Sequence, residues 1–153
     1  MRLFAVILGL SLLCAAALAE PVPEDLAALI AAAGTAEDHE DADAVVVLDR
    51  TTVEVEDSGL AHINNRRVTK VLTEDGALDL AFQRFDYDPA TQLIEVKKVI
   101  VHRAGGEQEV VDLAGLVDVI APAWAIYWGA CMLGLDLPRL EVGDAVEIAT
   151  YRK

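Results

Sequence analysis

The residue with the most reactive side chain in the mature part of this sequence is Cys131, and the histidines that could activate its thiol are His39, His62 and His102. A thiolate beside an imidazole is the working pair of papain-like and transglutaminase enzymes. The local sequence argues against that use. Trp128-Gly129-Ala130-Cys131-Met132-Leu133 is apolar, a setting in which a free cysteine behaves as a small buried hydrophobe with a raised pKa. Nothing in the spacing brings a histidine to it.

Two other constellations could do chemistry. Glu37 to Asp43 holds five acids in seven residues around His39, oxygen ligands suited to a divalent cation, but it lacks the ordered spacing and glycine of a calcium loop. A solvated charge run explains it better. Trp124, Tyr127 and Trp128 have the i, i+3, i+4 spacing that would gather three rings on one helical face. Such rings stack on sugars, anchor a protein interface or fill a core, and core or contact with a following domain is the favoured reading. Asn64-Asn65-Arg66-Arg67 reads as the wet face of a strand rather than an anion site. No residue pattern calls for a metal or a cofactor, and no catalytic constellation is recognised.

The elements that would position these residues begin after an export signal. Met1-Arg2, the apolar run Leu3 to Leu13 and the exit Ala17-Leu18-Ala19 have the three parts of a secretory signal peptide, with cleavage expected after Ala19. The run is too short to span a membrane. Leu12-Leu13 before Cys14 disfavours a lipoprotein, so Cys14 leaves with the signal. A periplasmic or secreted location follows, with no transmembrane segment in the mature chain. Residues 20–153 then carry a formal charge of −15, against −14 for all 153 residues, because Arg2 is lost. That charge repels nucleic acid and anionic membranes alike. One remaining cysteine, Cys131, cannot form an internal disulfide.

Pro23 to Ala33 has a helix-start proline, first-turn acids and a stop at Gly34, so residues 20–43 read as a short helix followed by the acidic linker. From residue 44 the pattern changes to strands. Val53 and Val55 alternate with Glu54 and Glu56, Asp57-Ser58-Gly59 turns, and Leu60 to Leu72 returns as the second arm of a hairpin closed by Thr73-Glu74-Asp75-Gly76. After a turn at Phe85-Asp86-Tyr87-Asp88-Pro89, Leu93 to Arg103 and Glu107 to Val111 form a second hairpin. Asp112 to Gly134, interrupted by Pro122, is read as irregular, and Ala145 to Tyr151 as a final strand. The fold class expected is mostly β, an antiparallel β-sandwich-like domain over residues 44–153 behind a short N-terminal helix.

Three stretches in order resemble a known family. They are Asp43 to Asp49 with Arg67 to Ala77; Phe85 to Pro89 with Val99 to Arg103; and Leu137-Pro138-Arg139-Leu140-Glu141-Val142-Gly143-Asp144-Ala145-Val146-Glu147. Together they resemble domain of unknown function 3857, the module that precedes a transglutaminase-like, papain-type core in exported bacterial proteins. In the last stretch, Pro138, Gly143 and Asp144 have the chemistry of a structural turn. The resemblance implies a non-catalytic accessory or interaction domain, with a transglutaminase-like domain in cis or in trans as its partner. The cysteine, histidine and aspartate of such a core would lie downstream of Lys153, so the chain is expected to be either truncated before that core or a stand-alone copy. The rival readings are a free-standing binder of a cell-envelope polysaccharide or peptide through the aromatic segment, and an enzyme built on Cys131.

Overall fold

In a computed structural model, which describes residues 25–120 and 131–153, the chain forms two antiparallel sheets behind a short helix. Helix α1, Leu26–Ala32, starts where Asp25 accepts a hydrogen bond from the Ala28 amide. The acidic stretch behind it is tied down rather than a free linker. A 3-10 turn at Ala36–His39 is held by Asp38, whose carboxylate accepts from the Thr35 amide and hydroxyl, and His39 Nε2 donates to the Ala33 carbonyl at 2.6 Å. From the sheet, Lys70 Nζ donates to the carbonyls of Ile30 and Gly34 at 3.0 and 2.8 Å. A cation on the last carbonyls of a helix meets the negative end of its dipole, so Lys70 both caps α1 and fastens it to the domain.

Strands β1 (Ala44–Val55) and β2 (Ala61–Val71) form the first hairpin, with one irregularity in register between Val46 and Leu48. The stretch after it is not the simple turn expected from Thr73-Glu74-Asp75-Gly76. Thr73 accepts from the Gly76 amide and opens a helix, α2, over Glu74–Leu80. Gly76 has a second duty: a Cβ there would lie 2.0 Å from the Asp43 carbonyl oxygen. That carbonyl accepts from the Leu72 and Thr73 amides, so the bare glycine lets the entry to β1 seat against the start of α2.

The remaining strands are β3 (Phe82–Tyr87), β4 (Ile94–His102), β5 (Gln108–Val110), β6 (Val117–Ile120), β7 (Cys131–Asp136) and β8 (Ala145–Arg152). Phe85 to Tyr87, expected in a turn, belong to β3, and the turn starts at Asp88, whose carbonyl accepts from the Thr91 and Gln92 amides. The stretch from 112 that looked irregular holds a 3-10 turn at Leu113–Gly115 and both β6 and β7. Each is short, and their pairing partners lie far off or on each other, which local periodicity does not reveal.

The larger sheet has the order β1-β2-β8-β4-β5 and the smaller β3-β7-β6. Between them sits the core: Val71, Val99, Val101 and Val146 from the large sheet meet Leu135 of the small one and Leu140 of the final turn. The two-sheet antiparallel architecture read from the turn spacing is therefore the observed one, with half of each sheet's residues left facing outward.

Candidate functional site

Three groupings of side chains have the chemistry to matter, and two of them are spent on the fold. The first is the turn that precedes β8. Gly143 adopts φ +94°, and a Cβ there would stand 3.1 Å from that of Ala104. Its amide donates to the Val71 carbonyl, while the Val71 amide donates to the Asp144 carbonyl. The Asp144 carboxylate is buried and saturated: Oδ1 accepts from the Ala104 amide at 3.0 Å, and Oδ2 from the Glu141 amide at 3.0 Å and Arg103 Nη1 at 2.7 Å. Arg103 also donates to the Arg139 carbonyl and to Glu109. One aspartate thus joins the end of β2, the β4–β5 turn and the entry to β8. Gly143 and Asp144 lie in the turn itself, and Pro138 is half-buried in the approach to it.

The second grouping is on the outward face of the large sheet. Register places Val68, Glu147 and Ile100 in one row across β2, β8 and β4, and Arg66, Ala149 and Lys98 in the next. Glu147 is 2% exposed. Its Oε1 meets Arg66 Nε and Lys98 Nζ, each at 2.9 Å, and its Oε2 meets His102 Nε2 at 2.8 Å. Burial alone would raise the carboxyl's pKa; hydrogen bonds from Arg66, Lys98 and His102 outweigh it and hold it down at about 2. A carboxylate held ionised by three donors is too weak a base to take up a proton near neutral pH. Its arrangement is a cross-brace over three strands.

Each histidine is engaged away from the thiol. His39 is bound to Ala33, His102 to Glu147, and His62 lies between Tyr151 Oη and Glu56 Oε1, both at 2.7 Å. Cys131 is half-buried at the start of β7, opposite Tyr87 on one side and Ile120 on the other. Tyr87 donates to Asp118 at 2.7 Å, and that carboxylate, followed by desolvation, pushes the phenol up to about 12. An un-ionised phenol is no base for a thiol. Among the described residues no three His, Cys, Asp or Glu side chains are placed to hold a metal ion.

The third grouping is apolar. Pairing in the small sheet puts Phe82, Arg84 and Asp86 of β3, Asp136, Gly134 and Met132 of β7, and Val117 and Val119 of β6 on the face turned away from the core. Phe82, Val117 and Val119 are 43%, 52% and 41% exposed. A Cβ on Gly134 would come within 2.7 Å of the Phe82 ring and 3.4 Å of Val117, so the missing side chain lets the phenyl lie across the sheet toward β6. The rim is charged, with Arg84 paired to Asp86 at 2.8 Å and Asp136 exposed. An apolar centre with a polar rim is the anatomy of a contact surface.

Sequence reading missed Glu147 and this face. Glu147 had one signal, a lone charge inside the apolar run Ala145-Val146-Glu147-Ile148-Ala149, whose burial demands partners. The aromatic trio Trp124, Tyr127 and Trp128 lies outside the described residues, in the connection from β6 to β7, as does the leader with Cys14 and its cleavage position after Ala19.

Comparison with known proteins adds to this picture. No curated protein matches the chain. A crystal structure described as a "putative protease", from Parabacteroides distasonis ATCC 8503, is similar over 72% of this chain and 23% of its own, with a TM-score of 0.61 and 14% identity. The chain spans about a quarter of that protein's length, and the likeness is one of fold. Residues 57–153 match the family described as a domain of unknown function with a solved structure, domain of unknown function 3857, from the β1–β2 turn through β8. The turn chemistry of Gly143 and Asp144, the brace on Glu147 and every strand except β1 fall within that match, and the chain belongs to this family.

Proposed function

We propose that this is an exported, non-catalytic accessory domain that works by contact, presenting the outward face of its small sheet to a transglutaminase-like catalytic domain in cis or in trans. The observation that carries the reading is the division of labour on the surface. The buried ionisable groups Asp144 and Glu147 are saturated by partners within the fold, whereas Phe82, Val117 and Val119 are exposed side by side. The connection that holds Trp124, Tyr127 and Trp128 begins and ends on strands of that same sheet, which supports the aromatic segment as part of the contact. The leader-like first nineteen residues support a periplasmic or secreted location.

The test is a calorimetric titration of the chain with a purified transglutaminase-like domain from a longer exported protein that carries this module. The wild type is expected to bind. Introducing Phe82→Asp with Val119→Asp is expected to weaken binding at least about tenfold, since a central apolar anchor is worth about 2 kcal/mol or more. Equal affinity of the double variant would overturn the assignment of the face, and no binding by the wild type would overturn the proposed partner.

A further inference from the structure

Helix α2 turns one stripe, Glu74, Ala77, Leu78 and its cap Ala81, toward the connection from β7 to β8, where Arg139, Leu140, Glu141 and Val142 form a facing wall. Spacings of three and four residues put those four positions on one side of a helix. Between the walls lies a groove of about 630 Å³, within the size range of small-ligand sites. Its floor is Leu140, a member of the core, while Leu78 and Val142 on its two sides are 74% and 51% exposed. The walls are fixed by their backbones. The Leu137 amide donates to the Ala81 carbonyl at 2.8 Å, the Arg139 carbonyl accepts from Arg103, and the Glu141 amide donates to Asp144. The charged side chains are not fixed: those of Glu74, Arg139 and Glu141 have no hydrogen bond or ion pair among the described residues. For Arg139 this is unusual in a chain with 26 acidic residues, where Arg66, Lys97, Lys98 and Arg103 each pair with a carboxylate.

We propose that this groove binds a short apolar peptide with both ends free, its carboxylate on the Arg139 guanidinium, its ammonium on Glu74 and Glu141, and its side chains against Leu78, Leu140 and Val142. A planar guanidinium takes a carboxylate through two parallel hydrogen bonds, and an ammonium brings three donors for which two carboxylates are ready acceptors. A simple anion would meet two like charges in this groove and a simple cation would meet Arg139, so a zwitterion is the ligand whose charges both find partners. Neither glutamate pairs with Arg139 in the free chain, so binding breaks no ion pair, and with the backbone walls already set only side chains need be ordered. The volume leaves room for about two or three residues.

This inference goes beyond the accessory reading and does not rest on it, since the groove includes none of Phe82, Val117 and Val119. The probe is leucyl-leucine, titrated into the full chain and followed by heteronuclear NMR. Saturable shifts are expected at Ala77, Leu78 and Val142. Acetylating the amino end of the dipeptide and amidating its carboxyl end each remove one charge contact, and each is expected to weaken binding at least about tenfold. Glycylglycine, with the same charges and no apolar side chains, is expected to bind at least about tenfold more weakly as well. Arg139→Gln is expected to weaken binding of the free dipeptide and no longer to distinguish it from the amide. Glu74→Gln with Glu141→Gln is expected no longer to distinguish it from the acetylated form, each variant keeping the wild-type circular dichroism. No saturable shift in the wild type, equal affinity of the wild type for the free and blocked peptides, or an Arg139→Gln variant that still prefers the carboxylate would each overturn the proposal.

Discussion

Replacing Asp144 by alanine is expected to cost about 3–4 kcal/mol of folding stability and to lower the thermal midpoint by about 10 °C or more. The carboxylate accepts from two backbone amides, those of Ala104 and Glu141, and from Arg103. Removing it leaves the amides of Ala104 and Glu141, on two separate turns, without their acceptor. Arg103 keeps the Arg139 carbonyl and Glu109, so the guanidinium is not orphaned and the loss stays below that of a fully isolated buried charge. Asparagine is expected to be nearly as damaging. One of its two positions must be an NH2 group, and each Asp144 oxygen now faces a backbone N–H donor. Urea unfolding checks this: the midpoint should fall with an unchanged denaturant slope. A neutral Asp144→Asn would show that the turn is held by its backbone geometry alone.

The second large effect is at Glu147, and it depends on pH. Its carboxyl is held at about 2 in the folded chain, against an ordinary glutamate value of 4.5. Because the folded pKa is depressed, the folded state binds fewer protons than the unfolded state between those values. The stabilisation is therefore complete above about pH 4.5 and is lost as pH falls toward 2. Arg66 and Lys98 are 36% and 46% exposed, so solvent screens part of the interaction, and about 2 kcal/mol is expected. Glu147→Gln should be destabilised by about that amount at neutral pH. The difference between the two proteins should shrink as pH drops from 4.5 to 2.5. A gap that stays constant over that range would mean that Glu147 contributes by packing and not by charge.

Both residues bear on how far the sequence could be read. The strands were legible where alternation is strong, as at Val53 and Val55, and where glycines mark turns, as at Gly59 and Gly143, both at positive φ. Helix α2 was not, because Thr73-Glu74-Asp75-Gly76 has the composition of a turn and only the Thr73 cap, a contact between side chain and backbone, distinguishes the two. The site was less legible than the fold. Arg66, Lys98 and His102 meet Glu147 only because β2 and β4 flank β8, so their partnership is a matter of register and strand order. The same holds for Phe82 and Val117, which approach each other across Gly134 of an intervening strand. Cys131, the residue that most invited a chemical reading, lies beside a tyrosine whose proton is held by Asp118, and the three histidines are occupied on other elements.

The proposed contact role requires that the domain perform no chemistry at Cys131. The most direct test is turnover by the folded full chain on a fluorogenic peptide amide and on a glutamine peptide with an amine acceptor, set beside Cys131→Ser. The account predicts no turnover that the substitution removes. Hydrolysis or amine transfer by the wild type that disappears in Cys131→Ser would contradict it.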